Sequence, residues 1–359
     1  MSAWRKELGQ FFTPEPVART LVSWAVRKAS DRLLDPACGD GEFLACHGRS
    51  VGIEIDAVHG SRARQRAPEA VIQEGDFFSW ASRTGERFDA AAGNPPFIRY
   101  QCFAGERREV AMATAARLGA HFNGLSSSWA PFLIVTAMLL KAGGRMAFVV
   151  PAEIGHATYA APLLESLCRN FERVGVIALR EKLFPELSED AWLLYCHGFG
   201  GHTNQIEFGC RERFAGSSAA PEFETAISLE EWREANCRLR PFLLSVSLRA
   251  AYEEAVRRPS VRCFSELAHA GIGYVTGAND FFHLRPSEAR LWGLPKDLLR
   301  MSVRKGDQLP ADAVTEGVVQ GWIDGDEPVL LLDLNGKQAL PDSVKRYLSS
   351  ADGKRARQS

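Results

Sequence analysis

Chemistry is concentrated in a few short segments. Asp35-Pro36-Ala37-Cys38-Gly39-Asp40-Gly41-Glu42-Phe43-Leu44 follows a short apolar run, 32–34. Glycines at 39 and 41 let the backbone approach a ligand closely, ahead of an expected helix N-terminus. A phosphate cradle wants a Lys and avoids carboxylates, yet this loop carries Asp35, Asp40 and Glu42. It suits a ligand with cationic groups, and S-adenosylmethionine has two, a sulfonium and an ammonium. Glu54 closes the next apolar run, in Val-Gly-Ile-Glu-Ile-Asp. A carboxylate there can accept both ribose hydroxyls, as the acid of a dinucleotide site does. Asp76, in Gly-Asp-Phe-Phe, closes the third run. It can accept from an adenine amino group, with Phe77 packing on the adenine ring. Each feature alone is commoner as a tight turn or a solvated strand end. Three acids after three successive strands, beside a glycine turn, point to a nucleoside-type cofactor.

Gly93-Asn94-Pro95-Pro96-Phe97 follows a fourth run, 88–92. Two prolines stop a strand and fix the loop, and Pro96 restricts Pro95. The carbonyl before a proline is thereby held in one direction. Methylation of an exocyclic amine needs such a device, because that nitrogen's lone pair is delocalised into its ring. An Asn oxygen and a rigid carbonyl can each accept one N–H and aim the lone pair at a methyl donor. The gain is positioning plus electrostatics. Phe97 offers a face to a planar substrate.

The elements that must position these segments alternate between short apolar runs and amphipathic stretches. Residues 14–29 read as a helix with Val17, Leu21, Trp24 and Ala25 on one face and Thr13-Pro14 at its start. Strands are expected at 32–34, 50–55, 70–73, 88–92, 145–150, 174–179 and 191–195, with a helix over 133–141 ending at Gly143-Gly144. Strands separated by helical stretches mean a doubly wound α/β sheet. Its ligand sits beyond the carboxyl ends of the strands, where the acids and the Asn-Pro-Pro-Phe segment fall. After about residue 200 the texture changes. A helical, charged connector spans 238–259, and short strand-like runs follow at 318–323 and 329–334. The expected division is a catalytic domain over 1–245, then a connector and second domain over 246–359.

In this order the segments resemble the N6-adenine DNA methyltransferases of bacterial restriction–modification systems. The subclass is the one with an N-terminal cofactor-capping motif and a C-terminal target recognition domain. The resemblance implies a seven-stranded class I S-adenosylmethionine-dependent methyltransferase sheet (Rossmann-like) plus a smaller C-terminal domain that looks short for the family. Gly9-Gln10-Phe11-Phe12-Thr13-Pro14 is similar to the capping motif, which implies that Thr13 contacts the methionine end of the cofactor. By the same resemblance Asp35, Pro36, Ala37, Cys38, Gly39 and Gly41 form the cofactor loop, and Glu54 with Ile55 the ribose side. Asp76 and Phe77 form the adenine side. Asn94 to Phe97 is the catalytic tetrapeptide and Asn94 also borders the cofactor. Phe184, in Lys-Leu-Phe-Pro-Glu, stacks on the extruded base with Phe97, and Phe11 lines the base pocket or simply packs. Gly273-Tyr-Val-Thr-Gly-Ala-Asn-Asp-Phe-Phe282 looks like the opening of the recognition domain. The resemblance fades near residue 335. Double-stranded DNA is the implied partner, and a restriction nuclease or specificity subunit would fit the same context.

Composition excludes other classes. The 359 residues are 46% hydrophobic and 24% charged, as in a folded protein with real cores. Lys and Arg (43) nearly balance Asp and Glu (44), so global charge names no partner. Eight cysteines, none in C-x-x-C spacing, read as neither zinc nor redox sites, and no metal is expected. The longest apolar run, 130–140, is too short to span a bilayer. With no leader-like N-terminus the chain reads as cytoplasmic. The absence of a Pro-Cys dipeptide excludes cytosine-C5 chemistry. Methylation of a protein glutamine or of ribosomal RNA, and a DNA-binding subunit without turnover, stay open as alternatives.

Overall fold

The computed structural model describes residues 13–97, 105–117, 120–122, 127–157, 159–185, 190–269, 276–336 and 339–356. The chain forms two compact units, Met1–Arg258 and Pro259–Ser359. The first is built on helix α1 (Glu15–Ala25), strands β1 (Leu33–Asp35) and β2 (Ser50–Glu54), α2 (Ala57–Arg66), β3 (Val71–Glu74), α3 (Phe77–Ala81) and β4 (Phe88–Gly93). After α4 (Glu106–Ala116) come α5 (Trp129–Met138), β5 (Leu140–Pro151), α6 (Ala160–Asn170), β6 (Phe171–Leu179) and β7 (Ala191–Phe199). Then follow β8 (Gln205–Arg211), β9 (Thr225–Ser228), α7 (Leu229–Glu234) and α8 (Val246–Arg257).

The sheet has nine strands in the order β3-β2-β1-β4-β5-β7-β6-β8-β9. β1, β2, β3, β4 and β5 pair in parallel, and β7 inserts antiparallel between β5 and β6. β8 and β9 extend the expected seven strands. Central strands buried on both faces read as unbroken apolar runs, and the side chains sort with period two. Met146, Phe148 and Val150 of β5 enter the core under α5, while Ala147 and Val149 face α1. In β4 the alanines divide likewise, Ala91 to one core and Ala90 and Ala92 to the other. Helix α5 is buried from Trp129 to Ala137, which explains why its sequence is apolar all round.

Several boundaries differ from expectation. Helix α1 starts with Pro14 as the cap and ends at Ala25. It stops there because Val26 turns extended and the Asp31 carboxylate accepts from the amides of Arg27 and Lys28. Helix α5 ends at Met138, and β5 already begins at Leu140. The Gly143-Gly144 pair lies in the irregular stretch of β5 between the pairings Phe88–Leu140 and Ala90–Arg145. The glycine loop after β1 leads into only a single 3-10 turn, Leu44–Cys46, not a long helix.

The second unit holds a three-stranded antiparallel sheet with β12 (Leu330–Leu332) between β10 (His283–Leu284) and β11 (Leu299–Met301). Its core gathers Phe281, Leu284, Leu298, Leu332, Val344 and Tyr347. The Tyr347 ring stacks on Phe281 at 4.5 Å and its hydroxyl donates to the Phe281 carbonyl at 2.6 Å. Residues 318–323, expected to be strand-like, belong to a helix, Glu316–Asp324. Val318, Val319, Trp322 and Ile323 have helical spacing, and Thr315 caps the first turn.

Candidate active site

The carboxyl ends of β1, β2 and β4 bring Asp35, Glu54 and Gly93–Phe97 to one edge of the sheet. The glycine loop is folded onto that edge by backbone bonds. The Cys38 amide donates to the Ile53 carbonyl at 2.9 Å, and the Gly41 amide to the Cys38 carbonyl at 2.8 Å. Gly39 has φ +53° and Gly41 φ +87°, where a side chain is strained. A Cβ on Gly41 would also lie 2.9 Å from the Ala63 Cα of α2. Glu54 locks the loop. One of its oxygens accepts from the Gly39 amide and the other from the Asp56 amide, both at 2.8 Å. About four acceptor sites exist on a carboxylate, so ribose hydroxyls can still be received.

Asp35 is 1% exposed. Its Oδ1 accepts from the Ala37 amide at 3.2 Å, and its Oδ2 is buried without a hydrogen-bond partner among the described residues. Burial pushes its carboxyl up to about 8, the Ala37 amide opposing and the Glu54 charge adding. Burial likewise raises Glu54, with the amides of Asp56 and Gly39 holding it back. Two buried carboxylates, with no ion pair among the described residues, form a site that a cationic ligand would complete. The other two acids of the loop do different work. Asp40 and Glu42 both pair with Arg66 of α2, Asp40 at 3.1 Å, and so tie the loop to that helix. Their expected role toward a cation is corrected accordingly. Burial drives the Cys38 thiol far above its usual range, so it is inert.

Around this pair the other residues take distinct positions. Thr13 is buried just before α1. Ile55 is 44% exposed, an apolar side chain beside Glu54 open to a ring face. Asp76 caps α3 by accepting from the Ser79 amide at 2.9 Å. Phe77 is buried and stacked on Phe132 at 5.0 Å, so its ring face is already used by the core. Phe11 lies outside the described residues, as do Gly9, Gln10, Phe12 and 273–275 of the recognition-domain segment. Of the rest of that segment, the Thr276 hydroxyl donates to the Asn279 side-chain oxygen at 2.7 Å.

The Asn-Pro-Pro-Phe loop leaves β4 directly beside Asp35. A Cβ on Gly93 would sit 2.7 Å from the Asp35 Oδ1 and 3.2 Å from the Phe148 ring. Gly93→Ala is therefore expected to lower stability by about 1–3 kcal/mol, read as a fall in denaturant midpoint at unchanged slope. Phe97 packs against both cores, and Phe184 belongs to the one that faces α1. Phe184 is only 2% exposed, so in this conformation its ring is covered. A cavity of about 100 Å³ opens beside Phe97, lined also by Trp129, Pro151, Glu153 and Asp190. Sequence reasoning missed Ser128. It is fully buried at the start of α5, and its hydroxyl donates to the Pro96 carbonyl at 2.6 Å. Next to it, the Tyr159 hydroxyl bridges Ser127 and Glu153. A serine in Ser-Ser-Ser-Trp carries no motif, so only the long-range contact reveals it.

The strand order and the acid-lined edge define a class I S-adenosylmethionine-dependent methyltransferase fold. Solved structures share it. One is the type IIG restriction endonuclease BpuSI, with TM-score 0.52 and 17% identity, covering 94% of this chain and 45% of that one. Another is the type I restriction-modification system methyltransferase subunit of Streptococcus thermophilus, with TM-score 0.51 and 19% identity, covering 65% and 58%. Residues 2–61 match the N-6 DNA Methylase family, and residues 238–358 match the C-terminal domain of Type II methyltransferase M.Eco57I. Type II methyltransferase M.AccI of Acinetobacter calcoaceticus is 19% identical over 97% of this chain and 66% of its own length. M.TthHB8I of Thermus thermophilus is 32% identical over 41% of this chain and 35% of its own length. Over these segments the chain is similar to the N-6 DNA Methylase family and to Type II methyltransferases. The C-terminal match runs to residue 358, well past the point near 335 where the resemblance was expected to fade. The chain spans 66% or less of the length of these two curated relatives. No helix among the described residues is long and apolar enough to cross a membrane. No cluster of three or more metal-ligating side chains occurs among the described residues.

Proposed function

We propose that this protein is a site-specific DNA methyltransferase that methylates the N6 amine of an extruded adenine in double-stranded DNA, using S-adenosylmethionine. The observation that carries this reading is the Asn94–Phe97 loop leaving β4 against a fully buried, half-bonded Asp35. When bound, S-adenosylmethionine supplies an activated methyl group on a sulfonium. Asp35 and the Gly39–Gly41 turn would hold its cationic end with Thr13, and Glu54 its ribose. Ile55 would cover one face of its adenine, with Asp76 and the edge of Phe77 at the rim.

The substrate amine needs help because its lone pair is delocalised. The Asn94 side-chain oxygen and the Pro95 carbonyl would each accept one N–H and hold the nitrogen pyramidal. Positioning and preorganised dipoles then lower the barrier, without a strong base. A base amine is unreachable inside the stack, so the nucleotide must be extruded at a cost of a few kcal/mol. Stacking on Phe97, and on Phe184 once uncovered, would offset this by roughly 1–3 kcal/mol per base. Ser128 would position the loop through the Pro96 carbonyl. Ser128→Ala is expected to lower turnover about 10–100-fold while leaving cofactor affinity unchanged.

The setting is the cytoplasm, as the modification component of a restriction–modification system, alongside a nuclease or specificity subunit. The test is a calorimetric titration with S-adenosylmethionine, then transfer of labelled methyl to genomic DNA lacking adenine methylation. N6-methyladenine by mass spectrometry is the expected product. Label in RNA or in a protein glutamine would overturn the reading, and cofactor binding without transfer would make the chain a subunit without turnover.

A further inference from the structure

The connector between the catalytic sheet and α8 is not a passive tether. The buried Leu239 donates its amide to the carbonyl of Gly155 at 2.8 Å. Gly155 ends the 3-10 turn that follows β5, and it is itself packed against Trp192. This bond pins residues 238–240 to the floor beside the active-site loop. The two residues flanking Leu239 are both arginines, both exposed, and neither has a carboxylate partner among the described residues.

Their surroundings set the local charge. Arg240 lines the cavity that Phe97 opens into, and it also lines a wider cleft between α7, residues 235–244 and α8. In that cleft Arg249 is paired with Glu231, and Arg257 with Glu253. Arg238 and Arg240 share that cleft with Glu234, which leaves the cleft one positive charge in excess. The smaller cavity sets Arg240 beside Asp190 and beside Glu153, whose carboxylate accepts from the Tyr159 hydroxyl. His156 stands between the two spaces, and burial together with the Arg240 charge keeps its ring on the neutral side. Arg240 therefore lines both spaces, and Arg238 adds a second cation in the wider cleft. The aliphatic stem of Arg240 runs over Gly155, its Cγ 3.6 Å from where a Cβ would stand, so its head projects from a rigid base.

We propose that Arg238 and Arg240 form a phosphodiester clamp that grips the DNA backbone next to the nucleotide presented to Phe97. This rests on the DNA reading above. A duplex strand carries its charge on the phosphates, and a base drawn out of the stack brings its flanking phosphates to the mouth of the pocket. A guanidinium pair there matches phosphate geometry in a bidentate manner. Such contacts position the strand without reading its sequence.

The experiment is a salt series. Binding of a fluorescein-labelled, mixed-sequence duplex to the full chain is followed by anisotropy, with the logarithm of affinity plotted against that of salt concentration. Each lost phosphate contact flattens the slope by about 0.9. Arg240→Ala and Arg238→Ala are each expected to do so, and Arg240→Lys to keep most of the slope. Arg173→Ala, which removes a cation bound to Glu207, serves as the control with unchanged slope. Melting temperature and cofactor affinity of the variants report that the fold is intact. A double alanine variant with the slope of the unmodified chain overturns the clamp. An unmodified chain that binds no duplex overturns the DNA reading itself.

Discussion

Asn94→Ala should bind S-adenosylmethionine as tightly as the unmodified chain and lose turnover by about 10²–10³-fold, the effect of removing one preorganised polar group from a transition-state site. The expected split follows from position. Asn94 leaves β4 one residue past Gly93, which abuts Asp35, while the loop conformation is kept by Pro95, Pro96 and the Ser128 bond to the Pro96 carbonyl. Removing the amide side chain therefore deletes an acceptor for the amine and leaves the scaffold standing. Single-turnover kinetics with saturating cofactor read the loss directly. Turnover within a few-fold of the unmodified chain would remove the basis of the proposed chemistry.

Asp35→Asn is expected to weaken the cofactor about 10–100-fold and to erase a pH dependence that the unmodified chain shows. A hydrogen bond to a charged group is worth roughly 1.5–3 kcal/mol, which sets that range. The sign follows from burial. The Asp35 carboxyl is pushed up to about 8, so near pH 7 the free protein holds it mostly neutral. A cationic ligand favours the ionised form, so binding releases a proton and affinity climbs with pH until about 8, then levels. In the free protein the same shift makes Asp35 oppose folding. Protons bind the folded form more strongly, so its contribution to stability falls as pH rises from the ordinary carboxylate range toward 8. Calorimetry in buffers of different ionisation enthalpy counts the released protons. The same count from Asp35→Asn would show that another group titrates.

Much of the site is readable from residues alone because it is local. The acids at 35 and 54 each end a strand, and the loop glycines and prolines act through their own dihedrals, so their consequences need no distant partner. Parallel strand pairing follows from the alternation of runs and helices. The strand-like reading of 318–323 failed for a related reason. A short β-branched run has no fixed period until a cap and a packing face select one, and Thr315 and the spacing of Val318 and Trp322 selected a helix.

From composition and order alone came the class of sheet, the acid-bearing turn and the proline-locked loop, since backbone sterics and charge types act within a few residues. Folding in three dimensions assigned the duties. Asp40 and Glu42 went to Arg66, Phe77 to the stack on Phe132, and Ser128 to the Pro96 carbonyl, across 32 residues. Which carboxylate stays buried without a cation, and which arginines stay without a carboxylate, depends on long-range packing. Desolvation and ion pairing are decided by whatever the remainder of the chain brings alongside.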